Sequence, residues 1–410
     1  MTRDDALALD AADPLARFRA AFDLPKGIIY LDGNSLGPPP RAAVARLAGV
    51  ISEEWGQGLI RSWNAAGWIE APQRVGDKIA SLIGARPGEV VVADSTTVNL
   101  FKLTAGALSL RPGRRTILSE TGNFPTDLYA LQGLAALLPE RARLKAVAPE
   151  ALIAAIDEDT AVVVLTQVHY KSALRRDMAR VTAAAHAKGA LILWDLSHST
   201  GAVAVDLNGA DADLAVGCGY KYLNGGPGAP AYVFVAERHQ GEIRSPLTGW
   251  MGHAEPFAFE DGYRPAGDIR GQLTGTPSVL GLAALEAGVD LQLEAEPALI
   301  EAKGLALAEL FIAEVEARAD DPGLALASPR DPAQRGLHVA FAHPQGYALV
   351  QALIARGIIG DFRSPDIARY GFSPLYLSFA QVWDAAAAFA EVLATRAWDR
   401  PEYHARAAVT

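Results

Sequence analysis

Lys221 stands in a setting unusual for a lysine, the run Gly217-Cys218-Gly219-Tyr220-Lys221-Tyr222 followed closely by Gly225-Gly226-Pro227-Gly228. Most lysines are solvated surface charges. Glycines on both sides let backbone approach a ligand closely, and a lysine enclosed in this way can shed its proton and form a Schiff base. Asp195 ends the apolar run Leu191-Ile192-Leu193-Trp194. A carboxylate there is costly to bury unpaired. A buried cation offsets that cost, and the protonated ring nitrogen of pyridoxal 5'-phosphate (PLP) is such a cation. An aspartate capping the next turn accounts for the position equally well. His198 follows three residues later, placed to stack on a pyridine ring or to reach its phenolic oxygen. Asp-x-x-His ahead of a glycine-flanked lysine is a narrower pattern than any of its members alone.

Two further clusters fit the same chemistry. Ser95-Thr96-Thr97 opens a helical pattern directly after an apolar run. Hydroxyls and free amides at a helix N-terminus bind phosphate, although a simple N-cap explains any one of the three. Phe124-Pro125-Thr126-Asp127 also follows an apolar run. Phe124 can cover an aromatic ring face and Asp127 can hydrogen-bond beside it, yet the same four residues are good helix-start chemistry.

The elements that must position these residues are legible from residue 85 to 235. Glu89–Asp94, Thr116–Glu120, Arg143–Val147, Ala161–Val168, Leu191–Ser197 and Ala229–Glu237 read as strands. Helical patterns follow at 95–108, 125–138, 149–156 and 177–188, the last ending at Gly189. Such alternation predicts an α/β fold with a mostly parallel sheet covered by helices on both faces. Ligands on these sheets bind at the carboxyl ends of the strands, where Ser95, Phe124 and Asp195 fall; Lys221 follows the apolar-acidic stretch 210–217. The segment 276–300 reads as one long helix leading to a smaller α+β region. There Leu337–Pro344 and the alternation at Tyr376–Phe379 read as strands, and 346–356 and 381–396 as helices. The expected division is an N-terminal segment, 1–60, packing on the small domain or across a subunit interface, a large domain, 61–290, and a small domain, 291–410.

Bulk properties exclude several classes. The 410 residues carry a formal charge of −10, which argues against nucleic acid or an anionic membrane as partner. One cysteine builds neither a disulfide framework nor a thiolate metal cage, and no metal site is expected. The early acids Asp4 and Asp5 and the lack of an apolar stretch argue against a secretory signal, and no run reaches the roughly 18 apolar residues of a membrane span. The cytoplasm is the expected compartment.

The chain resembles the kynureninases over nearly its whole length. The motifs that carry the resemblance are YLDGNSLGPPP (30–40), STTVNL (95–100), NFPTD (123–127), LTQVHYKSALRRD (165–177), WDLSHSTGAVAVDL (194–207), GCGYKYLNGGPGAPA (217–231), GWMGH (249–253) and DFRSPDIARYGFSPLY (361–376). The resemblance implies a fold type I PLP enzyme, similar to the class V aminotransferases in fold, that hydrolyses L-kynurenine to anthranilate and L-alanine. It implies action on 3-hydroxykynurenine too, and a place in tryptophan catabolism or NAD biosynthesis. By the same resemblance Lys221 is the covalent anchor and the base at Cα. Asp195 partners the pyridinium and His198 neighbours the ring, with Phe124 stacked on it and Asp127 beside it. Thr96 and Thr97 fall in the phosphate loop, and Thr166 is a further cofactor contact. Tyr220 is a phosphate ligand that also transfers a proton. Trp250 and Thr276 match positions that hold the phosphate from the neighbouring subunit, which implies a homodimer with shared active sites. Thr276 replaces an asparagine of some members, and its hydroxyl still donates. Arg369 corresponds to the arginine that grips the substrate carboxylate, with Arg363 and Tyr376 as lesser candidates. Asn34, Ser35 and Trp63 are placed at the aryl end. Two other chemistries share the cofactor residues. An aminotransferase differs only in its substrate segments, and a cysteine desulfurase needs a nucleophilic cysteine in a mobile loop, for which Cys218 is badly placed.

Overall fold

Residues 1–406 are described by the structure, a computed structural model. Seven strands form the main sheet: β1 (Val90–Val92), β2 (Thr116–Glu120), β3 (Arg143–Val147), β4 (Thr160–Thr166), β5 (Leu191–Asp195), β6 (Leu214–Gly217) and β7 (Tyr232–Val235). Their spatial order is β1-β7-β6-β5-β4-β2-β3. The run from β6 to β3 is parallel, whereas β7 is antiparallel to both of its neighbours. All seven residues of β4 are buried, because a parallel strand is covered on both faces. Alternate side chains supply two cores. Val163, Leu165, Ile192 and Trp194 face one way, and Val162, Val164, Leu191 and Leu193 the other. The strand β6 is one that no periodic signal marked, since its four residues, Leu-Ala-Val-Gly, are a short apolar run.

The crossovers between parallel strands place helices on the sheet. Thr96–Leu110 is capped by Ser95, whose hydroxyl accepts from Val98 N at 3.4 Å. Pro125–Leu137 begins with its proline at the first helical position, where a missing N–H costs nothing. Met178–Ala187 is capped by Asp177 and ends at Gly189 in the left-handed region (φ +70°).

Three expectations are corrected. The segment 149–156 forms two 3-10 turns, Pro149–Ala151 and Ile153–Ala155, rather than a helix. The Asp157 carboxylate binds Thr160 Oγ1 at 2.8 Å and Asp159 N at 3.2 Å, starting β4 before an α-helix has length to propagate. The helix at 276–300 is two helices, Val279–Leu293 and Pro297–Arg318. Glu296, ahead of the proline, is forced into an extended conformation. Tyr376–Phe379 is no strand: Ser378 and Gln381 make a capping box that opens the helix Phe379–Ala394.

A second sheet, of order β10-β11-β9-β8, is antiparallel throughout: β8 (Ala325–Leu326), β9 (His338–Ala342), β10 (Asp361–Arg363) and β11 (Ile367–Gly371). Its core takes in residues from the start of the chain. Ala6, Leu15, Phe18, Phe22 and Leu31 pack with Phe311, Phe341, Tyr370 and Phe389. Ile29–Tyr30 pairs in parallel with Ile358–Ile359. The Asp10 carboxylate accepts from Phe379 N at 2.8 Å and Ala380 N at 3.0 Å, serving as an anionic cap for a helix 369 positions away.

Candidate active site

The register of the main sheet sets Thr166 and Asp195 side by side at the carboxyl ends of β4 and β5, with Asp195 also opposite Val216 of β6. The loop after β6 then carries Lys221 back over that edge. Gly217 is required there, since a Cβ would stand 2.3 Å from the Tyr232 hydroxyl. Because β7 runs the other way, its leading residues Gly228–Ala231 return to the same edge, where Ala231 exchanges backbone bonds with Ala93 and Asp94. The result is a cavity of about 300 Å³, lined by Ser95, Thr96, Thr97, Phe124, Thr126, Asp127, Thr166, Tyr170, Asp195, His198, Tyr220 and Lys221. All twelve lie in clusters or motifs quoted from the sequence, although Tyr170 is given no role there. Pro125 sits behind Phe124 as the first residue of its helix.

Within the cavity Lys221 Nζ lies 2.9 Å from His198 Nε2 and 5.9 Å from the ring centres of both Phe124 and Tyr220. Burial, then the charge on Lys221, pushes the His198 imidazole well below its ordinary pKa. His198 is therefore neutral, with Nε2 accepting from the lysine. Asp195 Oδ1 accepts from Ser197 N at 2.8 Å and Ser197 Oγ at 2.6 Å. Burial raises the Asp195 carboxyl, while Lys221 and Ser197 pull it back. Asp127 is raised much further, by burial and then by the Asp195 charge. Of this acid pair, Asp127 keeps the proton and Asp195 the charge. Around the phenol of Tyr220, Cys218 and burial together raise the pKa well above 10, so it is a proton donor at neutral pH.

Several polar atoms in the cavity wall are buried without a protein partner: Thr96 Oγ1, Asp127 Oδ1 and His198 Nδ1. Orphaned polar atoms beside a buried carboxylate and a lysine are what a phosphorylated pyridine aldehyde would satisfy. Thr96 and Thr97 at the N-terminus of a 15-residue helix suit the phosphate. The donor set thus fits PLP.

Asn123 and Tyr170 were not singled out in the sequence. Asn123 Oδ1 accepts from Thr166 Oγ1 at 2.5 Å and Phe124 N at 2.8 Å, fixing both residues. The Tyr170 ring meets Phe124 edge-on at 5.1 Å. Both lie in motifs that carry the resemblance, NFPTD and LTQVHYKSALRRD, which were the available signal.

The other expected residues divide into two groups. Ser35 is a hub of the second sheet. Its hydroxyl donates to Asp361 Oδ2 at 2.6 Å and accepts from Arg369 Nη2 at 2.8 Å and Arg363 Nη2 at 3.1 Å. Arg369 is 1 % exposed, and its fork is already engaged by Asp361, with Nε to Oδ1 at 2.8 Å and Nη2 to Oδ2 at 2.5 Å. Its Nη1 donates to the Tyr170 carbonyl. Arg363 binds Asp361 Oδ2 at 2.6 Å from a side chain that is 36 % exposed. Asn34 is fully buried, with neither amide atom partnered, and the Tyr376 hydroxyl is likewise orphaned. In contrast, Trp250, Thr276 and Trp63 are not brought to Lys221 within one chain. Trp250 packs edge-on against Phe257 at 5.5 Å, Trp63 against Trp68 at 5.9 Å, and Thr276 lines a neighbouring recess with Asp94 and Thr274. A larger recess, of about 740 Å³ between Arg74 and Met251, includes none of the expected site residues.

A lysine and an acid at the carboxyl edge of this sheet, with a small α+β domain beside them, define the fold type I class of PLP enzymes. Solved structures share the plan. A cysteine desulfurase from Thermococcus onnurineus NA1 superposes with a TM-score of 0.77 at 18 % identity, over 93 % of this chain and 98 % of that one. A cystine C–S lyase with glycine covalently linked to its PLP cofactor gives 0.78 at 17 %, over 91 % and 99 %. Closer sequence relatives narrow the class. Residues 300–389 match the model of the kynureninase C-terminal domain. The chain is 52 % identical to a kynureninase of Pseudomonas fluorescens and 51 % identical to one of Burkholderia pseudomallei, each over 100 % of both chains. This chain belongs to the kynureninase family.

Proposed function

We infer that the chain hydrolyses L-kynurenine between Cβ and Cγ, giving anthranilate and L-alanine, with PLP as cofactor; 3-hydroxykynurenine is the second substrate of the same reaction. Full-length identity of 52 % to a kynureninase carries the reading. Bound PLP supplies an electron sink for the bonds at Cα and Cβ. The chain's residues supply the rest. Thr96, Thr97 and the amides behind them hold the phosphate, and Asp195 keeps a negative charge for the ring nitrogen. Phe124 flanks the ring, with Asp127 and Thr166 at its rim. Lys221 Nζ takes the Cα proton, held by a hydrogen bond to the neutral His198 Nε2 at 2.9 Å. The protonated Tyr220 phenol returns a proton to Cβ.

Incubating the purified protein with kynurenine and no keto-acid acceptor tests the reaction: anthranilate and alanine must appear in equal amounts. Turnover that depends on a keto acid would instead identify a class V aminotransferase. Desulfurase chemistry is disfavoured by Cys218, which is 4 % exposed and whose Sγ lies 3.8 Å from the Ser197 carbonyl.

The substrate carboxylate is assigned to Arg369, with Asn34, Ser35 and Trp63 toward the aryl group. Lysine would keep the charge but not the planar fork that Asp361, Ser35 and the Tyr170 carbonyl hold in place beside the substrate. Arg369→Lys should lower kcat/KM for kynurenine roughly ten- to a hundredfold, as losing a charge-assisted bond does, with cofactor occupancy unchanged. A value within about twofold of wild type passes the role to the more open Arg363.

A homodimer completes the site from Trp250, Thr276 and the partner's copy of each. In support, Val44, Ile51, Trp55, Leu59 and Ile60 form an exposed apolar stretch, with Ile60 77 % exposed. Mixed dimers of a Lys221→Ala chain and an inactive Trp250→Ala chain should recover activity at one of their two sites. Confirmed mixed dimers without activity would refute sharing. Among the described residues no helix is long and apolar enough to cross a membrane, in keeping with a cytoplasmic enzyme.

A further inference from the structure

His338 lies in β9, across from Gly371 of β11. It is completely buried, and neither ring nitrogen has a hydrogen-bond partner. Its ring centre is 5.2 Å from that of His198, the planes inclined at 51°. The His198 nitrogen not engaged by Lys221, Nδ1, is also buried and unpartnered. Three orphaned nitrogens on two adjacent rings are a costly arrangement unless they satisfy one another, directly or through one water.

We propose that His338 is a positioning residue: it accepts the His198 Nδ1 proton and so holds His198 in the tautomer whose Nε2 lone pair faces Lys221. Proton positions follow around the chain of groups. Lys221 donates to His198 Nε2, which obliges the neutral imidazole to carry its hydrogen on Nδ1. That hydrogen needs an acceptor. His338 offers one nitrogen as acceptor and turns its own N–H toward the His169 carbonyl, which lies close enough to favour a proton on the ring although not in full bonding geometry. The charged and titratable groups facing His338 are Arg369, Asp361, His169 and His198, and those facing His198 are Lys221, Arg369 and Arg363. The cationic members among them disfavour a second proton on either ring, so both remain neutral donor–acceptor links. Free to choose, a neutral His198 would spend part of its time with a hydrogen on Nε2, pointing at the ammonium it must receive from.

The inference rests on the assignment of Lys221 as the PLP lysine, and its test separates the two. Holoenzyme is prepared with ring-15N histidine; with eight histidines in the chain, His198→Gln identifies the His198 signals. Wild type should show a protonated Nδ1 and a bare Nε2. In His338→Phe both nitrogens should take intermediate shifts, with kcat down about tenfold and KM within about twofold, as expected when one buried donor loses its partner. His338→Gln supplies both an acceptor and a donor, and should keep the wild-type pattern and kcat within about threefold. His338→Leu replaces the Phe variant if that chain does not fold. Wild-type nitrogen shifts in the Phe or Leu chain, or kcat within about twofold of wild type, overturn the proposal. A wild-type protein that binds no PLP, seen as no visible absorption band, instead removes the assignment of Lys221.

Discussion

Lys221→Ala should abolish turnover of kynurenine while leaving the fold intact. One side chain is asked to do two things, to anchor the cofactor covalently and to move the Cα proton, and alanine does neither. Loss of a general base alone lowers rates by roughly 10²–10⁴-fold, and the missing anchor adds to it. The structure argues that the folding cost is small. Lys221 makes one side-chain hydrogen bond, to His198, so the truncation removes a single contact. The measurement is steady-state anthranilate release together with the visible absorption of bound PLP, which should lose its lysine-linked band. Substantial turnover in a correctly folded variant would sink the assignment of Lys221.

Asp195→Asn should retain PLP but use it badly. The amide keeps the two bonds from Ser197 in shape, yet no longer places a charge at the carboxyl end of β5. Losing a charge-assisted partner costs about 1.5–3 kcal/mol, which is roughly a ten- to hundredfold fall in kcat. The neighbouring acid sets the lower limit of the effect. Asp127 holds its proton because it is buried and because Asp195 is charged. Asparagine removes the second cause, the Asp127 pKa falls, and Asp127 takes up part of the missing charge at neutral pH. The double variant Asp127→Asn/Asp195→Asn should accordingly lose more than Asp195→Asn alone. Retention of both PLP affinity and rate in the single variant would make Asp195 a structural residue.

The parts of the molecule legible in the sequence are those governed by local rules. Strands such as Thr116–Glu120 and Arg143–Val147 emerge with their expected bounds, since a short run between helical patterns reads as a strand in an α/β chain. Because ligand sites follow the carboxyl ends of those strands, Thr96, Phe124, Asp195 and Lys221 converge as expected. What escaped depends on partners distant in sequence or on local chemistry that outweighs periodicity. The capping box at Ser378 overrode an alternation that read as strand. The Asp361 carboxylate that occupies Arg369 was legible only to a reader who paired Asp361–Arg363 with Ile367–Gly371 as a hairpin, which sets the two residues opposite each other. His338 gave no signal, for a histidine in a buried strand has no pattern of its own.

The cap that Asp10 places on the helix at Phe379, and the packing of Phe18 and Phe22 against Phe389 and its neighbours, have a consequence for biosynthesis. Asp10, Phe18 and Phe22 find these partners only once residues 379–389 have been translated. Until then Phe18, Phe22 and Leu31 are apolar surface without a home, while the seven-stranded sheet, which needs nothing beyond residue 235 for its strands, can already assemble. During that interval the early apolar residues are exposed while the strands of the large sheet are already available. Joining the two ends is a late, long-range closure, and the Arg369 cluster, which draws Ser35 from the early segment and Asp361 from the late one, is assembled only at that closure.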